Sequence, residues 1–268
     1  MPSPPATLAQ PAVPLLAVTD LSKRYGGLVA LADYHLRLER GTIHGIIGPN
    51  GAGKTTLFNL LSGMVAPTSG TIELEGRDIT HLPAHVVSRM GIARTFQNIR
   101  LFGDLSVVDN AKVGVQAHHT EPFIPTVLSL RAFRRREAEI EARAMDLLVR
   151  VGLAARAHHR AASLAYGDQR RLEIARALAV EPRVLMLDEP NAGMNPAEIN
   201  GLLGLIRRIR DELGVTIILV AHDIPLVMNL CDRIQVLNFG ELIAQGPPRE
   251  VRSDPAVVAA YLGQSRHA

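Results

Sequence analysis

Apolar residues fall in short runs punctuated by glycine, proline and charge, and the runs alternate between strand and helix periods along most of the chain. Residues 42–47 read as a buried strand. The segment 54–64 follows as a helix, because Leu57, Leu60, Leu61 and Met64 recur at helical spacing. Upstream, residues 15–18 predict a strand and 20–27 a turn. Over 30–38, Tyr34, Leu36 and Leu38 alternate with polar neighbours as in a half-exposed antiparallel strand. Downstream come a turn at 67–70, a strand at 71–74, a second turn at 75–78, and a strand at 91–96 that ends at Gln97.

Between 101 and 151 strand character fades, and Ile140, Ala144, Leu147, Leu148 and Val151 share one helical face. A helix carrying Leu172, Ile174, Ala175, Leu178 and Ala179 begins after 164–169 and stops at Pro182. Two more buried strands follow. One covers 184–187 and ends in Asp188 and Glu189; the other covers 215–220 and leads to His222. A helix over 223–231, a hairpin of 234–238 with 241–244 joined by Phe239-Gly240, and one short helix near Tyr261-Leu262 complete the pattern. The chain therefore predicts an α/β fold with an antiparallel β flank and a helical insertion at about 101–180. The proline-rich residues 1–14 read as a disordered leader, 15–262 as the folded domain and 263–268 as a tail.

The chemistry starts at Gly48-Pro49-Asn50-Gly51-Ala52-Gly53-Lys54-Thr55, which matches the phosphate-binding template at every fixed position and lies on a strand-to-helix turn as that template requires. Glycines let successive N–H groups point at one spot, and the helix start adds the positive end of its dipole, so the expected occupant is a polyphosphate. Lys54 supplies a point charge for the β- and γ-phosphates, Thr55 a hydroxyl for Mg²⁺, and Thr56 a donor toward the α-phosphate. Asp188 is placed to hold the metal and Glu189 to orient or deprotonate a water, because an α/β sheet binds its ligand at this strand end. His222 can donate to a γ-phosphate oxygen. Gln97 either reaches the metal or the attacking water, or caps its turn, and Tyr25 is either an adenine-stacking plate or a packing residue.

Composition narrows the setting. Aromatic residues make up only 4% of the 268 residues and tryptophan is absent, so the core must rest on Leu, Ile, Val and Ala. A formal charge of +3, with no dense basic patch carrying interleaved aromatics, gives no sign of nucleic-acid binding. The single cysteine, Cys231, excludes an internal disulfide and reads as a small buried hydrophobe. The arginines at 134–136 read as a solvated helix face, and the pairs His118-His119 and His158-His159 lack the acid or cysteine partners a metal site needs. No run approaches the roughly 20 apolar residues that a membrane span requires.

Taken in order, the phosphate loop, Gln97, the Leu-Ala-Tyr-Gly segment with its following helix, the Asp188-Glu189 strand end and His222 resemble the ATPase subunit of an ABC transporter over about 15–262. Arg94-Thr95-Phe96-Gln97-Asn98, the run from Arg170 to Arg176 and the ending Ala260-Tyr261-Leu262-Gly263 are similar to the ATPase subunits of branched-chain amino-acid importers. The resemblance implies a P-loop ATPase with a RecA-like core sheet, working with ATP and Mg²⁺. Thr55, Gln97 and Asp188 would serve the metal, and Glu189, His222 and Gln97 hydrolysis. It further implies a head-to-tail pair of ATPase subunits in which Ala165 and Gly167 contact ATP held by the second copy. Transmembrane permease subunits would be the direct partners, a substrate-binding protein an indirect one, and the location the cytoplasmic face of the inner membrane. ABC systems for urea or amides, lipopolysaccharide export, or a soluble ABC ATPase are the alternatives. Three departures from the usual signature stand out: Ala165 in place of serine, Tyr166 in place of glycine and Asp168 in place of glutamine. Asn195 occupies a position that is often aspartate.

Overall fold

The computed structural model describes residues 13–118 and 130–262. Most of the expected leader, His119 and the tail 263–268 lie outside the described residues. Two sheets organise the rest. In chain order the strands are β1 (Leu16–Tyr25), β2 (Leu28–Leu38), β3 (Ile43–Ile47), β4 (Ser69–Leu74), β5 (Arg77–Asp78), β6 (Ile92–Arg94), β7 (Val184–Asp188), β8 (Thr216–Val220), β9 (Arg233–Asn238) and β10 (Glu241–Gly246). The antiparallel sheet has the order β2-β1-β4-β5, and the larger sheet β10-β9-β3-β8-β7-β6, parallel from β9 to β6 with β10 added antiparallel at one edge. The helices are α1 (Lys54–Leu61), α2 (Ala84–Arg89), α3 (Val107–His118), α4 (Leu130–Val151), α5 (Tyr166–Leu178), α6 (Pro196–Leu213), α7 (Ile224–Leu230), α8 (Pro248–Ser253) and α9 (Pro255–Leu262).

Every residue of β3, β7 and β8 is buried, as strands covered on both faces must be, and this is why they read as unbroken apolar runs. Alternate side chains go to different cores. Ile43, Ile47, Leu185, Leu187, Ile217 and Leu219 pack with residues of α3 to α7, while Ile46, Val184, Met186, Ile218 and Val220 pack with α1 and the antiparallel sheet. A buried polar link ties the sheets together: the Tyr34 hydroxyl donates to Gln235 on β9, whose amide donates to His35 O at 2.9 Å and to Gln245 Oε1 at 3.1 Å. Cys231 is buried, and desolvation pushes its thiol up, so it behaves as a small core residue.

The structure corrects several boundaries. The predicted turn at 20–27 is mostly strand, because Asp20 at φ 50° and irregular register absorb the bend and β1 continues to Tyr25 beside β2. Met64 is not on the helix face: α1 ends at Leu61, the Ser62 hydroxyl donates back to Phe58 O at 2.7 Å, and Met64 is exposed. The strand expected over 91–96 is only Ile92–Arg94, since beyond Thr95 the chain leaves the sheet and the Phe96 N–H goes to Glu173. The expected single C-terminal helix is two, with Asp254 capping the first and Pro255 opening the second.

Candidate active site

The phosphate loop joins β3 to α1 at the carboxyl edge of the parallel sheet, where β7 and β8 also end. Two of its glycines, Gly48 and Gly53, are required by close approach. A Cβ on Gly48 would lie 2.1 Å from the Leu237 carbonyl oxygen, and Gly53, at φ 101°, would place one 2.6 Å from that of Ala30. Gly53 is the N-cap of α1 and no side chain caps the helix, so its first N–H groups are left for a ligand. Lys54 is buried and its ammonium donates to Gly48 O at 2.7 Å and Pro49 O at 2.8 Å, curling the loop around its own cation. Burial lowers its pKa, while the charges of Glu189 and Asp188 act the other way.

Across from the loop, Glu189 sits at φ 46°, a left-handed conformation that non-glycine residues adopt at a cost of about 1 kcal/mol or more. Both of its oxygens are engaged: Oε2 accepts from Gln97 Nε2 at 3.1 Å, and Oε1 lies 2.6 Å from His222 Nε2. Gln97, Glu189 and His222, spread along the sequence, thus meet at one point. Gln97 uses its side chain here rather than capping its own turn. Asp188 is buried one residue earlier, and Arg94 Nη2 donates to its Oδ2 at 2.7 Å. The Arg94 guanidinium also reaches Asn59 Oδ1 at 2.7 Å and stands 5.3 Å from the ring centres of both Phe58 and Phe96. This tie of α1 to Asp188 was not foreseen from sequence.

A cleft of about 650 Å³ opens at this point, large enough for a nucleotide. Asn50 to Thr56, Gln97, Glu189 and His222 line one part of it, and Tyr25, Leu28 to Ala30 and Phe239 the other. Tyr25 is half-exposed, with the Lys23 ammonium 5.0 Å from its ring centre. Phe239 is 81% exposed at φ 47° on the tip of the β9–β10 hairpin, and sequence reasoning saw it only as a turn residue. The tip is pinned by backbone bonds, Gly240 N to Ala52 O at 3.1 Å and Ala32 N to Gly240 O at 2.9 Å. An aromatic at a hairpin tip, with no core to fill, was the available signal.

The hydroxyl of Thr55, the amide oxygen of Gln97 and the carboxylate of Asp188 are oxygen donors of the kind Mg²⁺ takes. His158 and His159 are exposed, and the side chain of His118 lies outside the described residues.

Ala165 and Gly167 do not line this cleft. They border a small separate hollow with Asp168, Arg171, Met194 and Glu198. Ala165 is the N-cap of α5 and offers no side-chain cap, while the Asp168 and Gln169 N–H groups both turn back to its carbonyl. Asp168 is ion-paired to Arg156, which covers the added negative charge. Asn195 has a plain structural role: with Glu198 it closes a capping box at the start of α6.

Comparison with known proteins agrees with this geometry. Residues 31–192 match the ABC transporter family model, and residues 241–267 the model of the branched-chain amino acid ATP-binding cassette transporter. The chain is 46% identical over 252 residues to the high-affinity branched-chain amino acid transport ATP-binding protein BraF of Pseudomonas aeruginosa, covering 94% of this chain and 99% of that one. It is 47% identical, with the same coverage, to LivG of Salmonella typhimurium, which bears the same description. Among solved structures, an ATP-binding cassette of an ABC transporter in its ADP conformation superposes with a TM-score of 0.81 at 28% identity, over 93% of this chain and 98% of that one. With a phosphate loop, an acid held by a glutamine and a histidine, and relatives matched from end to end, this chain belongs to the ATP-hydrolysing subunits of ABC transporters.

Proposed function

We propose that this chain drives uptake of branched-chain amino acids through a membrane permease, as one half of a head-to-tail pair of ATPase subunits. The observation that carries the catalytic part is the meeting of Gln97 and His222 on Glu189 at the mouth of the phosphate-loop cleft. The cargo follows from the named cargo of the relatives and from the C-terminal match.

Within the pair, each copy keeps its own chemistry in one cleft. Tyr25 stacks on the adenine, and the N–H groups of residues 48–53 with Lys54, Thr55 and Thr56 hold the phosphates. Thr55, Asp188 and Gln97 would hold Mg²⁺, which neutralises charge on the β- and γ-phosphates when bound. Arg94 engages Oδ2 of Asp188 and leaves the other oxygen for that role. Glu189 accepts the proton of the attacking water. Each carboxylate oxygen has two lone pairs, so the bonds to Gln97 and His222 orient it without consuming its capacity. His222 then donates to the γ-phosphate as the bond breaks. The second ATP docks on the backbone N–H groups at Ala165 and Gly167, which lack any side-chain cap within the chain. The partner of choice is a related ATPase subunit rather than a second copy.

The cassette domain spans about 15–262, with its helical subdomain at about 101–180. No helix among the described residues is long and apolar enough to cross a membrane. The chain sits peripherally on the cytoplasmic face of the inner membrane by binding the permease, and a substrate-binding protein acts through that permease. Reconstitution with the co-purifying permease and ATPase should give hydrolysis stimulated by binding protein loaded with leucine, isoleucine or valine. Stimulation by another solute and not by these would remove the cargo assignment.

A further inference from the structure

Among the described residues, Arg170 is the largest side chain that is fully enclosed. Its guanidinium is spent on the chain that carries Gln97. Nη1 donates to Phe96 O at 2.7 Å and to Glu173 Oε2 at 2.6 Å; Nη2 donates to Gln97 O at 2.9 Å and to the Tyr166 hydroxyl at 3.4 Å. Glu173 closes the loop by accepting the Phe96 N–H on Oε1 at 3.0 Å. The Arg170 Nε is left buried without an acceptor. Apolar residues of equal volume commonly replace a buried ion pair without loss of stability, so filling space is a poor account of this pair. What apolar residues could not supply is the three directed bonds onto the main chain of Phe96 and Gln97.

Those bonds join two places with different ligands. Arg170 lies about one turn along α5 from Ala165 and Gly167, and the Gln97 side chain reaches Glu189 in the cleft. We propose that Arg170 and Glu173 are positioning residues that lock Gln97 to the first turn of α5, so that docking of the second subunit's ATP on that turn sets the amide beside Glu189. The chain's own cleft is thereby told whether the opposite one is filled. This inference rests on the roles given above to Glu189 and to the start of α5.

The test uses the full chain assembled with its permease and partner ATPase. Arg170→Met should leave KM for ATP within about threefold of wild type while kcat falls by about tenfold to a hundredfold, with Arg170→Lys recovering part of the loss. Hydrogen exchange on a Glu189→Gln background supplies a readout that a merely structural role would not move. ATP should slow exchange in both 165–170 and 94–98 when Arg170 is present, and in 165–170 alone when it is methionine. If 94–98 still responds, or kcat is unchanged, the proposal is overturned. Should the methionine variant fail to fold, Glu173→Gln serves in its place. Its faster exchange at Phe96 with reduced kcat supports the lock, and unaltered exchange and kcat overturn it. A Glu189→Gln protein that hydrolyses ATP freely would instead bring down the underlying assignment, a separate and distinguishable result.

Discussion

The phosphate loop and the start of α5 are both glycine-bearing entries to a helix, and neither helix is capped by a side chain. Around the first, one chain gathers everything phosphate chemistry needs: a buried cation in Lys54, hydroxyls at Thr55 and Thr56, and an acid fixed by Gln97 and His222. Around the second, Asp168 is paired with Arg156, Arg171 and Glu198 border the same hollow, and that hollow is about 60 Å³, far too small for a nucleotide. The difference teaches that an uncapped helix start is only half a site. It becomes whole where the chain supplies the cation and the acid, or, in the pairing proposed above, where another chain would bring the ligand already held.

The strongest way to break the comparison is Glu189→Gln. It keeps the cleft's shape but removes the carboxylate proposed as proton acceptor, so turnover should fall by about 10²- to 10⁴-fold while ATP is retained. Vigorous hydrolysis by that protein would show that the acid is not what completes the first site.

A second handle is His44, buried on β3 four residues before Gly48. Desolvation pushes its imidazole down to about 4 from 6.5, outweighing the hydrogen bond with Gln235. The folded protein therefore keeps His44 neutral where the unfolded chain is protonated. Its contribution is intact above pH 6.5 and lost as pH falls toward 4, a change of about 3 kcal/mol. Denaturant midpoints at pH 7.5 and 4.5 should show that loss, and His44→Gln should show much less of it.

Lys54→Ala sharpens the contrast from the ligand side. It removes a cation and leaves the carbonyls of Gly48 and Pro49 without their donor, so ATP affinity should drop by about ten- to a hundredfold in equilibrium binding. The smallest effect is expected at the other helix. Arg156→Ala uncovers Asp168 and should weaken ATP-dependent pairing by about two- to fivefold, more at low salt, without changing ATP retention by the single chain. Equal effects of these two substitutions on single-chain ATP binding would erase the distinction between the sites.

Much of this was legible along the chain, for reasons that differ by region. The buried strands β3, β7 and β8 were plain because burial on both faces leaves nothing but apolar residues in them. The continuation of β1 through 20–25 was not, since polar residues there pair through the backbone, to which hydrophobic periodicity is blind. Met64 kept the helical spacing after the helix had ended, because α1 stops ahead of Gly63, whose φ of 67° turns the chain while the Met64 N–H bonds back to Asn59 O at 2.9 Å. Tyr25 could be weighed only as one of two readings, and the fold leaves it half-exposed where it lines the cleft. Phe239 was passed over because nothing in a hairpin's sequence says what lies opposite its tip.

By itself the sequence determined what short stretches of backbone can do: a glycine-rich turn that bends tightly, a lysine six residues past its first glycine, acids that end a buried strand. Such features depend on neighbours in the chain and survive being read one segment at a time. Tertiary structure alone decided which side chains would share a charge or a proton. Glu189 lies between Gln97 and His222, Asp188 is held by Arg94, and Arg170 grips the main chain at Phe96 and Gln97, all across dozens of intervening residues. The physical reason is that a buried charge must find a partner within hydrogen-bond reach, and which partner arrives there is set by how sheet and helices pack, a relation no local spacing encodes.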